Sequence, residues 1–269
     1  MTPTTTDVRA IPKVRHDEAM ALAATEYGRF TDVLRGLDPG DWAASTVCDG
    51  WDVAAMVAHV LGAAEANASM RENAHQMRLG RRVQRELGLG HVVHGANEVQ
   101  IRERRALGPE GLVERWGRAV PRALKGRRRF PPFLRPVRIP FEEPLGKRPL
   151  AYLMDIVYTR DVWMHRVDIC RATGHHLELT PAHDGRMVAD MVADWAHTHR
   201  HAFSLELTGP AGGTYVNGQG DAGSGDGGSD NREHSGQALP HLTIDAVEWA
   251  WTVSGRAKGT GLLEHSLPL

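Results

Sequence analysis

The feature that most constrains this 269-residue chain is a helical stripe that changes character halfway along. In "PLAYLMDIVYTRDVWMHRVDI", Leu150, Met154 and Val157 recur at the three- and four-residue spacing of a single helix face. Continued at the same spacing, that face brings Asp161, His165 and Asp168. A carboxylate and an imidazole on an inward-packing face are costly unless partners meet them. Another element must therefore bring polar groups to this face. A helix bundle does so, because its facing helices project side chains inward at the same level.

The rest of the sequence supplies such helices. Residues 14–36 carry apolar residues at helical spacing. "STVCDGWDVAAMVAHVLGAAEANASMRENA" reads as a second helix that starts near Asp49 or Gly50 and has an Ala-rich, helix-favouring body. A third covers about 92–107. "GPEGLVERWGRAVPRALKGRR" is a fourth, with Pro109 near its start and Pro121 expected to kink or split it. Six prolines in "RFPPFLRPVRIPFEEPLGKRP" predict a long irregular connection. The striped helix follows and closes near Gly174. Another helix begins with Thr180 as its N-cap and Pro181 in its first turn. Residues 1–13, rich in Thr and Pro, read as a frayed terminus.

Beyond about residue 201 the pattern changes. "FSLELTG" alternates as a strand does, and a second short strand lies within "GPAGGTYVNGQG". A low-complexity Gly/Ser/Asp loop at about 217–237 reads as disordered. "LTIDAVEWAWTVSGR" gives a strand and then a helix closed by Gly255. The organisation expected is a mainly helical domain, 14–200, followed by a small α/β module, 201–269.

Bulk properties narrow the function classes. The formal net charge is -1, so no global attraction to nucleic acid or to an anionic membrane is expected. No apolar run reaches the length of a membrane span, and "MTPTTTDVRAIPK" lacks an apolar signal core, so a cytoplasmic protein is expected. Two cysteines, Cys48 and Cys170, make no disulfide framework. Among the 15 histidines, His175, His176, His197, His199 and His201 read as surface residues. Segment 102–138 is strongly basic, which fits a solvated face better than an anion site, and nucleic-acid binding least of all.

Asp161 and His165, at i and i+4, stand one above the other and reach a single ion. Imidazole nitrogen and carboxylate oxygen suit Zn²⁺ or a similar divalent metal, with a third ligand from elsewhere and a fourth position left open in a catalytic site. His59, mid-helix among Val57, Ala58, Val60 and Leu61, is the best third ligand, and Asp168 is placed to orient the cluster. The spacing alone also allows a surface hydrogen-bonded pair, and His59 alone allows a core histidine satisfied by a carbonyl.

Two stretches add a resemblance. "CDGWDVAAMVAHVLGAAEA" and "RDVWMHRVDICRATG" resemble, in order, the opening motif and the carboxylate-x-x-x-H-R-x-D helix of the mycothiol-dependent maleylpyruvate isomerase family. "LTGPAGGTY" and "LTIDAVEWAWTVSGRAKGTGLL" are similar to the C-terminal module of the same proteins. The resemblance implies a DinB/YfiT-like four-helix bundle with extra helices and a metal site between them, then an α/β module like a sterol-carrier-protein domain. It implies a metal held by His59, Asp161 and His165, and a catalytic arginine matched by Arg256 in "SGRAKG". It also implies mycothiol, a low-molecular-weight thiol, as cosubstrate. The thiolate would add to an activated double bond, allowing rotation and elimination, or would stay on the product in a transferase. Asp161 departs from the glutamate of the family's characterised isomerase by one methylene. The expected partners are a small electrophile and the thiol, with a monomer and a dimer both open. A hydrolase using a metal-bound water and a non-catalytic metal-binding module are the other readings of the same ligands.

Overall fold

A computed structural model describes residues 4–218 and 239–267, so the loop expected at 217–237 lies outside the described residues from 219 onward. The elements begin with β1 (Thr5–Asp7), α1 (His16–Gly36), α2 (Val53–Ala68), α3 (Met70–Leu87), α4 (Val92–Arg104) and α5 (Gly108–Arg128). Next come β2 (Arg138–Pro140), β3 (Lys147–Pro149), a short α6 (Leu150–Tyr152), a π-helical segment Leu153–Val157 and α7 (Tyr158–Thr173). α8 (Arg186–His199), β4 (Phe203–Thr208), β5 (Gly213–Asn217), β6 (His241–Asp245) and α9 (Ala246–Val253) complete the chain. The structure is mainly helical with a small sheet, as the sequence implies.

Two compact units divide at 178/179, whereas the sequence reading places the boundary at 200. The first unit is Val14–Glu178. In it α1, α5, α2 and α7 pack in a closed ring of neighbours, a four-helix bundle. Its core joins Tyr27, Phe30 and Leu34 of α1 to Met56, Val60 and Leu61 of α2, Leu112 and Trp116 of α5, and Val162 and Ile169 of α7. Trp116 stacks within 5.4 Å of Tyr27 and 5.0 Å of Phe30, and its indole N–H donates to Thr31 Oγ1 at 2.8 Å. At Asp52 the carboxylate caps α2 by accepting from the Ala55 N–H at 2.8 Å, which fixes the start there rather than at Asp49 or Gly50.

α2 ends earlier than the sequence suggests. Ser69 is extended (φ -150°, ψ 117°), closes α2 and caps α3 through Oγ. α3, which the sequence reading did not resolve, then packs tightly on α4, and both lie against α2. Glycines permit this approach: a Cβ on Gly95 would strike the Gly80 carbonyl, and one on Gly62 would meet the Gln100 side chain. α5 runs unbroken through Pro121, whose ring is exposed, where a missing helical hydrogen bond is least costly.

Many residues of the basic segment are internal struts. Arg104, 1% exposed, donates to both Glu65 and Glu72, and Arg115 also grips Glu65. Arg127, fully buried, donates to the Met154 carbonyl at 2.7 Å and to Thr159 Oγ1 at 2.7 Å. It thereby satisfies backbone oxygen in the π-helical segment. That segment breaks the expected stripe: Leu150, Met154 and Val157 are only half-buried, while Asp155 is buried between Arg135 and His16. The proline-rich connection also contains the β2–β3 hairpin, which the sequence reading took as irregular.

The second unit joins 1–13 to 179–268. Its sheet has the order β1-β5-β4-β6, with β4 antiparallel to β5 and parallel to β6. The N-terminus is not frayed over Thr5–Asp7, which pairs in parallel with Thr214–Val216. α8 belongs here because Trp195 packs on Phe203 and Trp249, with ring centroids 5.1 and 5.6 Å away. Thr180 does not cap with its side chain. Its own N–H donates to Asp184, and a π-helical turn, Pro181–Gly185, leads into α8. Among the described residues no helix is long and apolar enough to cross a membrane.

Gly95→Ala is expected to destabilise the protein by about 1–3 kcal/mol through overpacking of α3 on α4. Gly117→Ala, in α5 with open space around it, should gain roughly 0.5–1 kcal/mol from helix propensity. Urea denaturation of the two variants checks the opposite signs.

Candidate metal centre

α2 and α7 are neighbours in the bundle, and their facing sides bring His59, Asp161 and His165 together. One ligand atom from each lies within 4.8 Å of the other two. Asp161 sits between the rings, with His59 Nε2 3.5 Å from one carboxylate oxygen and His165 Nε2 3.4 Å from the other. The imidazoles meet edge to face with centroids 5.0 Å apart, and Trp51 packs beside both. His59 and His165 are 4% and 5% exposed, so this is an interior site and not a surface pair.

The hydrogen bonds behind the rings decide which nitrogen is free. The Gly62 carbonyl only accepts, so the Gln76 amide NH₂ donates to it at 2.9 Å. Gln76 Oε1 then accepts from the Gln100 NH₂ at 2.8 Å. Gln100 Oε1 is left to accept from His59 Nδ1–H at 2.7 Å. At the other ring Asp168 Oδ2 accepts from His165 Nδ1–H at 2.9 Å. Both histidines thus carry hydrogen on Nδ1 and turn Nε2 toward Asp161. This donor set fits a divalent cation: two imidazole nitrogens, a carboxylate and tautomers fixed from behind.

The electrostatics agree. Burial alone would push the His165 pKa down, but the Asp161 charge and hydrogen bonds to Asp161 and Asp168 outweigh it and raise the pKa to about 9. Burial alone would raise Asp161, yet the His165 and His59 charges hold its carboxyl well below the usual carboxylate range. In the ion-free protein a proton on His165 balances Asp161, and a cation would replace that proton.

The structure brings His59, Asp161 and His165 together and places Asp168 against His165. Arg256 lies in the second unit, in the turn after α9, where its N–H donates to the Trp251 carbonyl. Gln76 and Gln100 were missed. Their one trace in the sequence is a polar residue beside apolar ones, as in "EVQI". Cys48 was also missed as a neighbour: its sulfur lies within 4.8 Å of ligand atoms of His165 and Asp168. Cys170 is buried, its thiol pKa is pushed up by burial, and it faces the His176 carbonyl. A separate cavity of about 490 Å³ between α2, α3 and α5 is lined by charged groups, including Glu65, Glu72, Arg115 and Arg122, and by none of the three ligands.

A family model described as the mycothiol maleylpyruvate isomerase N-terminal domain matches residues 23–170, more than half of the chain. No curated protein matches the sequence. The fold is similar to the crystal structure of the mycothiol-dependent maleylpyruvate isomerase, with a TM-score of 0.57 and 16% identity over 94% of this chain and 93% of that one. A structure of a histidine-to-alanine mutant of that isomerase matches to the same extent.

Gln100→Leu should weaken divalent-cation binding by about 10- to 100-fold by releasing the His59 tautomer, read by competition against a chromophoric chelator. An unchanged affinity would show that the relay does not set that ring. A cation taken up there would displace the His165 proton, so its affinity should rise with pH above neutrality. A flat profile over that range would contradict the displacement.

Proposed function

Because the chain belongs to the mycothiol maleylpyruvate isomerase family, we propose that it is a metal-dependent, mycothiol-dependent isomerase of a small electrophile of the maleylpyruvate type. The observation that carries this reading is the convergence of His59, Asp161 and His165 on one point, with both Nδ1 hydrogens engaged behind it. These three residues would hold the ion through the two Nε2 atoms and a carboxylate oxygen, with zinc the best match to the donor set. A divalent ion there supplies Lewis acidity, which lowers the pKa of a bound thiol so that the nucleophilic thiolate is present at neutral pH.

The chain's own residues do the rest. Asp168 and Gln100 hold the ring protons on Nδ1, so neither imidazole turns away from the reacting side. Trp51, packed beside both rings, gives the site an apolar wall. By the family resemblance Arg256 is the candidate catalytic arginine, a guanidinium fork being suited to an anionic group. The reaction proposed is addition of the thiolate to a cis double bond, rotation about the resulting single bond, and elimination of the thiol to leave the trans isomer. The thiol is regenerated, so it acts catalytically. The shorter Asp161, in place of a glutamate, sets the carboxylate back by one methylene, which favours a change in metal preference over a loss of the site.

The test is turnover of maleylpyruvate by zinc-loaded protein with and without mycothiol, with the trans product identified by chromatography. Thiol-dependent isomerisation is expected, falling about 100-fold or more in His165→Ala. Conversion that ignores the thiol, or a stable thiol adduct as the sole product, would replace this reading with a hydrolase or a transferase.

A further inference from the structure

A second group of histidines stands in the second unit. His199 is the last residue of α8, His201 follows it by two, and His265 lies in the tail after the 3₁₀ turn Gly261–Glu264. The sequence reading assigned His199 and His201 to the surface, and His201 is indeed exposed while His199 is half-buried. Their rings stack with that of His265: centroids are 5.5 Å apart for His199 and His201, 4.9 Å for His199 and His265, and 4.6 Å for His201 and His265. One nitrogen from each ring lies within 4.8 Å of the other two.

The backbone holds this arrangement. Arg200 adopts a left-handed conformation, φ 58°, which is uncommon for a residue other than glycine and turns the chain so that His201 comes back over His199. The His201 carbonyl accepts from Asn217 Nδ2 at 2.8 Å, and the His265 carbonyl accepts from Trp195 Nε1 at 2.7 Å. His199 Nδ1 presents its lone pair, accepting from the His201 N–H at 2.9 Å. The neutral His199 ring then carries its hydrogen on Nε2, which is buried with no hydrogen-bond partner among the described residues, so Nδ1 is the nitrogen that it offers to a cation. Burial and the two neighbouring rings lower the His199 pKa to about 4, and burial with His201 lowers that of His265.

We propose that His199, His201 and His265 form a second divalent-cation site, distinct from the bundle triad, that fastens the C-terminal tail to the end of α8. Three imidazoles without a carboxylate select a borderline cation such as Zn²⁺, Co²⁺ or Ni²⁺ over Mg²⁺ or Ca²⁺. A cation lies in the plane of each imidazole that binds it, so the rings, now 17–26° from parallel, swing out of their stack for three nitrogens to converge, and the His201 N–H contact with His199 Nδ1 gives way to the ion. His201 is exposed and free to make that adjustment.

The test uses the full-length chain carrying His165→Ala, which disables the bundle triad whatever its function. Co²⁺ titration followed by absorption, and Zn²⁺ competition with a chelator, should find one saturable equivalent. That binding should weaken at least about tenfold in His201→Ala and in His265→Ala. Zn²⁺ should raise the melting temperature of the His165→Ala protein and not that of the versions that also carry His201→Ala. His201→Ala removes an exposed ring, so a folding defect there is unexpected, and circular dichroism checks it. Absence of saturable binding, or binding that both histidine variants leave unchanged, would overturn the proposal, as would tight binding of Mg²⁺ in preference to Zn²⁺.

Discussion

A carboxylate between two imidazoles inside a helix bundle is the constraint around which the first unit is arranged. Asp161 cannot lie between His59 and His165 unless positive charge, from a proton or a cation, is shared among them. Nor can either ring present Nε2 unless Nδ1 is satisfied from behind. For His165 the answer is local, because Asp168 is one turn along the same helix. For His59 it is remote: the proton on Nδ1 is fixed by Gln100 on α4, then Gln76 on α3, and finally by a carbonyl of α2 itself at Gly62. The α3–α4 hairpin is thus part of the site, although it contributes no ligand. The glycines that let it approach, Gly62, Gly80 and Gly95, serve the same end.

The bundle's other buried charges follow a similar logic. Arg166 meets Glu26 through two hydrogen bonds, at 2.6 and 3.2 Å, linking α7 to α1 with both side chains removed from solvent. Such a pair adds little net stability but penalises any other register of the two helices, since either charge left alone would be expensive. Arg104 pairs likewise from α4 with Glu65 of α2 and Glu72 of α3, while Arg127 ties α5 to the π-helical segment through neutral carbonyl and hydroxyl oxygens. Counted as charge in the sequence, these arginines suggest a basic surface. In the fold several of them are crosslinks.

The convergence of His59, Asp161 and His165 was legible because the parts obey short-range rules. Asp161, His165 and Asp168 are spaced for a single helix face, and His59 interrupts an apolar helix where few roles are open to it. Gln76 and Gln100 were not legible, since nothing in the spacing of two amphipathic helices tells which amide meets which. The break at Ser69 was hidden because alanine-rich and charged flanks both favour helix. β1 was hidden because its stability comes from partners some 200 residues away, Thr214–Val216. α8 was assigned to the bundle because its periodicity resembles that of the bundle helices, and only its packing of Trp195 against Phe203 and Trp249 shows where it belongs.

The π-helical segment Leu153–Val157 bears on how the chain tolerates a deletion. A π turn holds one residue more than the α-helix on either side, and the helix beyond resumes its phase as though that residue were absent. The segment therefore holds one residue more than a regular helix would, with Arg127 bonded to the carbonyl of Met154 within it. Losing one residue from this stretch would regularise the helix and leave Asp161 and His165 facing α2. The same loss between Tyr158 and Arg160 would turn the pair about 100° away from His59. A one-residue deletion is therefore tolerable in Leu153–Val157 and disruptive in the first turn of α7.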